Sequence, residues 1–139
     1  PALSSAASDV YKRQKLFQLL REIDYALPTI VSPRAYISKN AQIGDGTIIM
    51  HDAIVNANAR IGQNCIINSK ALVEHDAIIG DHCHIATGAI VNGEVIIGNK
   101  NFLGSGAVTK QSISIGSNCV IGAGVVVKKD IDSDEVIKN

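Results

Sequence analysis

From Ile37 onward an aliphatic residue returns every six positions: Ile37, Ile43, Ile49, Val55, Ile61, Ile67, Val73, Ile79, Ile85, Val91, Ile97, Leu103, Thr109, Ile115, Ile121 and Val127. Only Thr109 departs from Ile, Val or Leu, and it keeps the β-branch. Two residues before these lies a second, mostly small set: Ala35, Ala41, Thr47, Ala53, Ala59, Cys65, Ala71, Ala77, Cys83, Ala89, Ala107 and Cys119. Large then small, both turned inward, describes a narrow filled tube built from a short repeat. Gly44, Gly62, Gly80, Gly98 and Gly116 add a period of eighteen, so three hexapeptides make one coil. Each hexapeptide supplies a strand and a turn, with glycine at a corner that needs positive φ or a close approach. The cross-section is a triangular prism. Its coils stack in parallel register about 4.8 Å apart, and about five fit between Ala35 and Asp130.

This repeat resembles that of the hexapeptide-repeat acyltransferases. The resemblance implies an all-β fold, a left-handed parallel β-helix; the hand comes from the resemblance, since periodicity shows the coil alone. Outside the repeat, residues 15–34 read as a helix and strand remnant of an N-terminal domain, with Leu16, Leu19, Leu20 and Ile23 on one helical face. Residues 1–14 read as a pattern-free leader, non-native or disordered. The β-helix is expected over 35–130, and the charged tail 131–139 is expected to leave the prism.

Composition narrows the function classes. Thirteen basic and thirteen acidic residues cancel to a net charge of zero, which argues against polyanion binding driven by bulk charge. Five aromatic residues and no Trp leave little for base stacking, so no nucleic acid is expected as a partner. No apolar run approaches the roughly 20 residues of a membrane span, and no basic stretch leads into a signal-like segment. A cytoplasmic protein is the expectation.

Cys65, Cys83 and Cys119 occupy the inward small-residue column at multiples of eighteen, which makes them core filler with no redox or metal role. Asn101 shares that column and needs internal partners for its amide. None of the four histidines falls in an inward column. His75 shares an outward position with Lys39, Ala57, Gly93, Gln111 and Lys129. His84 stands where Ile48, Ile66, Phe102 and Val120 stand in other coils. The two are nine residues apart, half a coil, so they lie on different faces and could meet only across subunits, as in a threefold assembly.

The run Glu74-His75-Asp76, with Asn68 before it and His84 and Gly93 after it, is similar to that of the bacterial sugar acetyltransferases. These include sialic-acid O-acetyltransferases and nucleotide-amino-sugar N-acetyltransferases. The resemblance implies a homotrimer that moves an acetyl group from acetyl-CoA to an amine or hydroxyl of a small-molecule sugar or nucleotide sugar, with no metal. It implies His75 as general base, polarised by Asp76 or alternatively Glu74, with His84 near the acetyl group and the Gly93 N–H facing the thioester. The chemistry suits these types: a neutral imidazole takes the proton of the attacking group at physiological pH, and backbone N–H groups stabilise the oxyanion. CoA is expected along the last coils, at Gly104, Gly122 and Ala123, with Lys128 and Lys129 meeting its phosphates. In this group a nucleotide-binding α/β domain usually precedes the prism and a Gly-x-Pro-Ala motif follows it. Neither occurs in these 139 residues, so the resemblance implies neither sugar-nucleotide binding by this stretch alone nor full CoA affinity. Two other classes compete: a trimeric zinc hydratase of the carbonic-anhydrase kind using His75, His82 and His84, and a non-catalytic solenoid fragment.

Overall fold

The computed structural model describes residues 2–139, with side chains from Asp9 onward. From Ile30 the chain winds as a parallel β-solenoid of eighteen two-residue strands in three sheets of seven, six and five. Registers advance by eighteen: Ile48 pairs with Ile66, Ile66 with His84, His84 with Phe102 and Phe102 with Val120. We call this sheet the first face, the one containing Leu72–Val73 the second, and the one containing Ile78–Ile79 the third. Both inward columns are buried from Ile49 to Val127 in one continuous core, and all three cysteines are free within it.

The solenoid has about six turns, more than the repeat count suggests. Ile30–Val31 already pairs with Ile48–Ile49. The tail also differs from expectation: Val136–Ile137 pairs with Val120–Ile121, and Ile131 bridges Ile115. Charge spacing misleads here, because Ile131 and Ile137 pack on the core while the acidic residues between them stay outside.

The period of eighteen has two physical origins. A Cβ on Gly44, Gly62, Gly80 or Gly98 would lie 2.6–2.9 Å from the carbonyl carbon of the next glycine in the series, so close approach, and not positive φ, fixes these positions. The same glycines leave a carbonyl that a side chain of the preceding coil satisfies. Thr47 Oγ1 donates to Gly62 O (2.7 Å), Cys65 Sγ to Gly80 O (3.1 Å), Cys83 Sγ to Gly98 O (3.1 Å) and Asn101 Nδ2 to Gly116 O (2.7 Å). The other corners use a backbone turn bond instead, as from Ala71 N–H to Asn68 O (3.0 Å). The cysteines are therefore donors as well as filler. Asn101 is fully used, since its Oδ1 accepts the Cys119 N–H at 2.7 Å.

Positive φ recurs every six residues at the outer turn, including Asp52, Asn58, Asn64, Asp76, His82, Gly88, Gly106 and Gly124. Gly, Asn and Asp tolerate this conformation best, and they dominate the column.

The helix α1 spans Ala2–Glu22, so residues 2–14 of the expected leader are helical, and Pro1 lies outside the described residues. It docks on the first face near Phe102 and Val120 through buried Val10 and Phe17. Phe17 lies over Gly46, where a Cβ would sit 2.8 Å from its ring. The expected apolar stripe is not the buried one: Leu16, Leu19 and Ile23 are each more than half exposed. The aromatic ring that fits the glycine hollow sets the rotation of the helix.

Candidate active site

His75 stands at the tip of the turn between the second and third faces, and the left-handed conformation of Asp76 (φ 59°) folds its carboxylate back toward the ring. His75 Nδ1 lies 3.0 Å from Asp76 Oδ2, while Glu74 Oε2 accepts the backbone N–H of His75 at 3.2 Å. Asp76 thus holds the imidazole and Glu74 holds the main chain. With Nδ1–H donated to Asp76, Nε2 carries the lone pair. The hydrogen bond to Asp76, with added charge from Asp76, Glu74 and Glu94, raises the pKa of His75 above its ordinary value. The ring is about half exposed.

Gly93, one coil on, completes this corner. A Cβ there would lie 2.7 Å from His75 Cε1 and Nε2, so the ring occupies the space that glycine leaves. The Gly93 carbonyl accepts from Ser112 N–H, while its own N–H donates to no other coil among the described residues. Glu94, held by Ser112 Oγ at 2.8 Å, adds a carboxylate absent from the sequence reading. Its position eighteen after Asp76 is the signal that could have found it.

His84 projects outward from the first face. Its Nε2 lies 3.1 Å from Asn68 Nδ2, and Asn68 Oδ1 accepts the Ser69 N–H, so the amide donates and the ring accepts. Phe102 meets the ring edge-to-face at 5.2 Å. Burial, helped by the Arg13 charge, pushes the His84 pKa down to about 4, which keeps it neutral. Asn68 and His84 form one pair and His75 with Asp76 another, on separate parts of the prism surface. His82 turns to Asn64 (2.8 Å) and Phe17, and among the described residues no three His, Cys, Asp or Glu side chains converge on a metal position.

The residues expected to line a CoA groove divide. Lys128, Lys129 and Ala123 are exposed, but Gly104 and Gly122 are buried and spend their N–H groups on Ile121 O and Ile137 O. Close coil stacking accounts for Gly104, whose Cβ would fall 2.7 Å from the Gly122 carbonyl carbon. The open surface at this corner belongs to Ser105, Gly106, Ala123 and Gly124.

Comparison with known proteins follows the same boundaries. Residues 34–69 and 58–93 match the family model of the bacterial transferase hexapeptide (six repeats), and residues 94–129 match the hexapeptide repeat of succinyl-transferase. No curated protein is significantly similar to the chain. Among solved structures, it is similar to the acetyltransferase domain of PglB from Neisseria gonorrhoeae FA1090, which has also been solved in complex with acetyl coenzyme A. There the identity is 32%, the TM-score 0.87, and the match covers 88% of this chain and 60% of that one. PerB from Caulobacter crescentus, in complex with CoA and GDP-perosamine, matches with 32% identity and a TM-score of 0.90 over 92% of this chain and 62% of that one. WeeI from Acinetobacter baumannii AYE matches with 30% identity and a TM-score of 0.89 over 94% and 64%. The chain thus spans about 60% of the length of these relatives.

Proposed function

The chain belongs to the bacterial hexapeptide-repeat transferases, and from that membership we propose that it serves an acetyl-CoA-dependent acetyltransferase whose acceptor is an amine or hydroxyl of a sugar or nucleotide sugar. The observation that carries the reading is the His75–Asp76 pair set against the vacant Cβ position of Gly93. His75 Nε2 takes the proton of the acceptor as its nitrogen or oxygen attacks the thioester carbonyl. Asp76 holds the tautomer and stabilises the imidazolium. The Gly93 N–H, which donates to no other coil among the described residues, meets the developing oxyanion. Collapse of the tetrahedral intermediate expels the CoA thiolate, which takes the proton back from His75. No acyl-enzyme forms, and the buried cysteines stay out of the reaction.

The second face supports a homotrimer. Tyr36, Ile54, Leu72, Ile90, Val108 and Val126 form an unbroken outward apolar column beside the largely apolar first face, which carries His84. A neighbouring copy packed against this column in a threefold assembly would bring His75 of one toward His84 of the other. No described helix is long and apolar enough to cross a membrane.

The test is thiol release from acetyl-CoA across a panel of amino sugars, sugar nucleotides and sialic acids. His75→Ala should lose about 10²–10⁴-fold in turnover with an unchanged circular dichroism spectrum. Equal turnover by that variant would overturn the reading.

A further inference from the structure

The large inward column departs from Ile, Val or Leu only at Thr109, a fully buried residue of the second face one coil after Val91. Its hydroxyl meets the chain directly before Gly93: Thr109 Oγ1 accepts the Asn92 N–H at 3.0 Å, and Asn92 Nδ2 donates to Thr109 O at 2.7 Å. Given the acetyl-transfer reading, we infer that Thr109 and Asn92 are positioning residues for the reaction, a latch that sets the tilt of the Asn92–Gly93 peptide and so the aim of the Gly93 N–H.

Equivalent positions in the other coils show what the latch replaces. Ser38, Asn56, Glu74 and Lys110 begin the same turn, and each donates its N–H to a main-chain carbonyl of the next coil, at Val55, Val73, Val91 and Val127 (2.7–2.9 Å). Asn92 gives its N–H to a side chain instead, and its own amide takes the carbonyl thus released. The sheet register carries the same exchange: Ile90 pairs with Val108, but Val91 does not pair with Thr109, which keeps its pairing with Val127 on the other side. The turn also loses its closing bond. Ala41, Ala59 and Ala77 donate to Ser38 O, Asn56 O and Glu74 O, whereas the bulkier Val95 makes no such bond to Asn92 O. Ile113 opens the next turn in the same way, yet Lys110 there keeps its ladder bond, so the turn beside His75 is both open and latched.

That turn carries Gly93, and its flanks are fixed. Thr109 holds Asn92, His75 O accepts the Glu94 N–H at 3.0 Å, and the Gly93 carbonyl accepts the Ser112 N–H at 2.9 Å. Neither the Asn92 carbonyl nor the Gly93 N–H bonds to another group among the described residues, so the latch is the nearest constraint on the plane of the peptide between them. For stability alone Val would serve at position 109, as it does at Val91 and Val127, because a buried hydroxyl carries a desolvation cost that its hydrogen bonds only offset.

The experiment compares Thr109→Val and Thr109→Ser with the wild-type protein by thiol release across the acceptor panel, thermal melting and the amide NMR signal of Gly93. Thr109→Val removes the hydroxyl and lets the Asn92 N–H return to the carbonyl of residue 109, as in the other coils. It should melt no lower than wild type and shift the Gly93 signal. Its kcat should fall about tenfold while the KM for acetyl-CoA and the pH limb of His75 stay unchanged, since a small misplacement of one oxyanion donor acts on the transition state. Thr109→Ser keeps the hydroxyl and loses a buried methyl group, so it should melt lower yet retain the Gly93 signal and turn over near the wild-type rate. A purely structural role reverses that order, with activity following the melting temperature. The reversed order, a Thr109→Val protein with wild-type kcat, or an unmoved Gly93 signal in that variant each overturns the inference. Absence of thiol release by the wild type with every acceptor overturns the acetyl-transfer reading and the role in catalysis drawn from it, and the Gly93 signal then judges the latch by itself.

Discussion

At the scale of single residues, the proposed site turns on a histidine kept basic chiefly by Asp76. The pKa of His75 is raised first by its hydrogen bond to Asp76, and only the neutral ring can accept a proton. Activity should therefore climb with pH through a value above the ordinary 6.5, and Asp76→Asn should move that limb to lower pH while reducing the rate; a pH profile of kcat/KM reads both. Gly93→Ala places a methyl group 2.7 Å from the ring, so it should lower turnover sharply while leaving the melting temperature nearly unchanged, because the exposed ring can swing away. His84 acts on stability with the opposite sign to His75. Its folded pKa is depressed to about 4, so the stability present above pH 6.5 is lost as pH falls from there toward 4, and His84→Gln should flatten that slope in urea titrations. The raised pKa of His75 favours the fold below 6.5 and ceases to do so as pH rises through the folded value.

At the scale of the element, the hexapeptide turn explains what could and could not be read from residues. The inward columns were legible because burial on three flat sheets imposes a strict period, and the Glu74-His75-Asp76 run was legible as a cluster. Which acid holds the imidazole was legible only through the family resemblance, which puts Asp76 before Glu74, since both lie one residue from His75. The left-handed turn at Asp76 decides it, and that turn is visible only once the Gly/Asn/Asp column is recognised as backbone geometry. The helix rotation escaped for a different reason, because Phe17 answers to the hollow over Gly46, far from it in sequence. The tail escaped because pairing with Val120–Ile121 outweighs its charge. The glycine ladder makes a sharp prediction at this scale. Gly80→Ala drives a methyl group to 2.8 Å from the Gly98 carbonyl carbon and should cost about 1–3 kcal/mol in denaturant unfolding. Gly88→Ala, with nothing within 4 Å of its Cβ, should cost only the strain of its positive φ, about 1 kcal/mol.

At the scale of the whole molecule, the prism carries the two parts of the proposed site on separate surfaces. His75, Asp76 and Gly93 sit at the junction of the second and third faces, while Asn68 and His84 belong to the first face. A single chain cannot unite them, whereas the proposed homotrimer would set the corner of one copy beside the next copy. Ile54→Lys, placed within the apolar column, should therefore yield monomers by light scattering and abolish turnover, although Ile54 is in neither part of the proposed site. Complementation tests the sharing directly. His75→Ala and His84→Ala homotrimers should each be inactive. Unfolded together in equal amounts and refolded, they form mixed trimers in which about a quarter of the sites receive an intact His75 from one copy and an intact His84 from the next. Recovery near that fraction fits a shared site. No recovery from a mixture shown to contain mixed trimers would overturn the shared site.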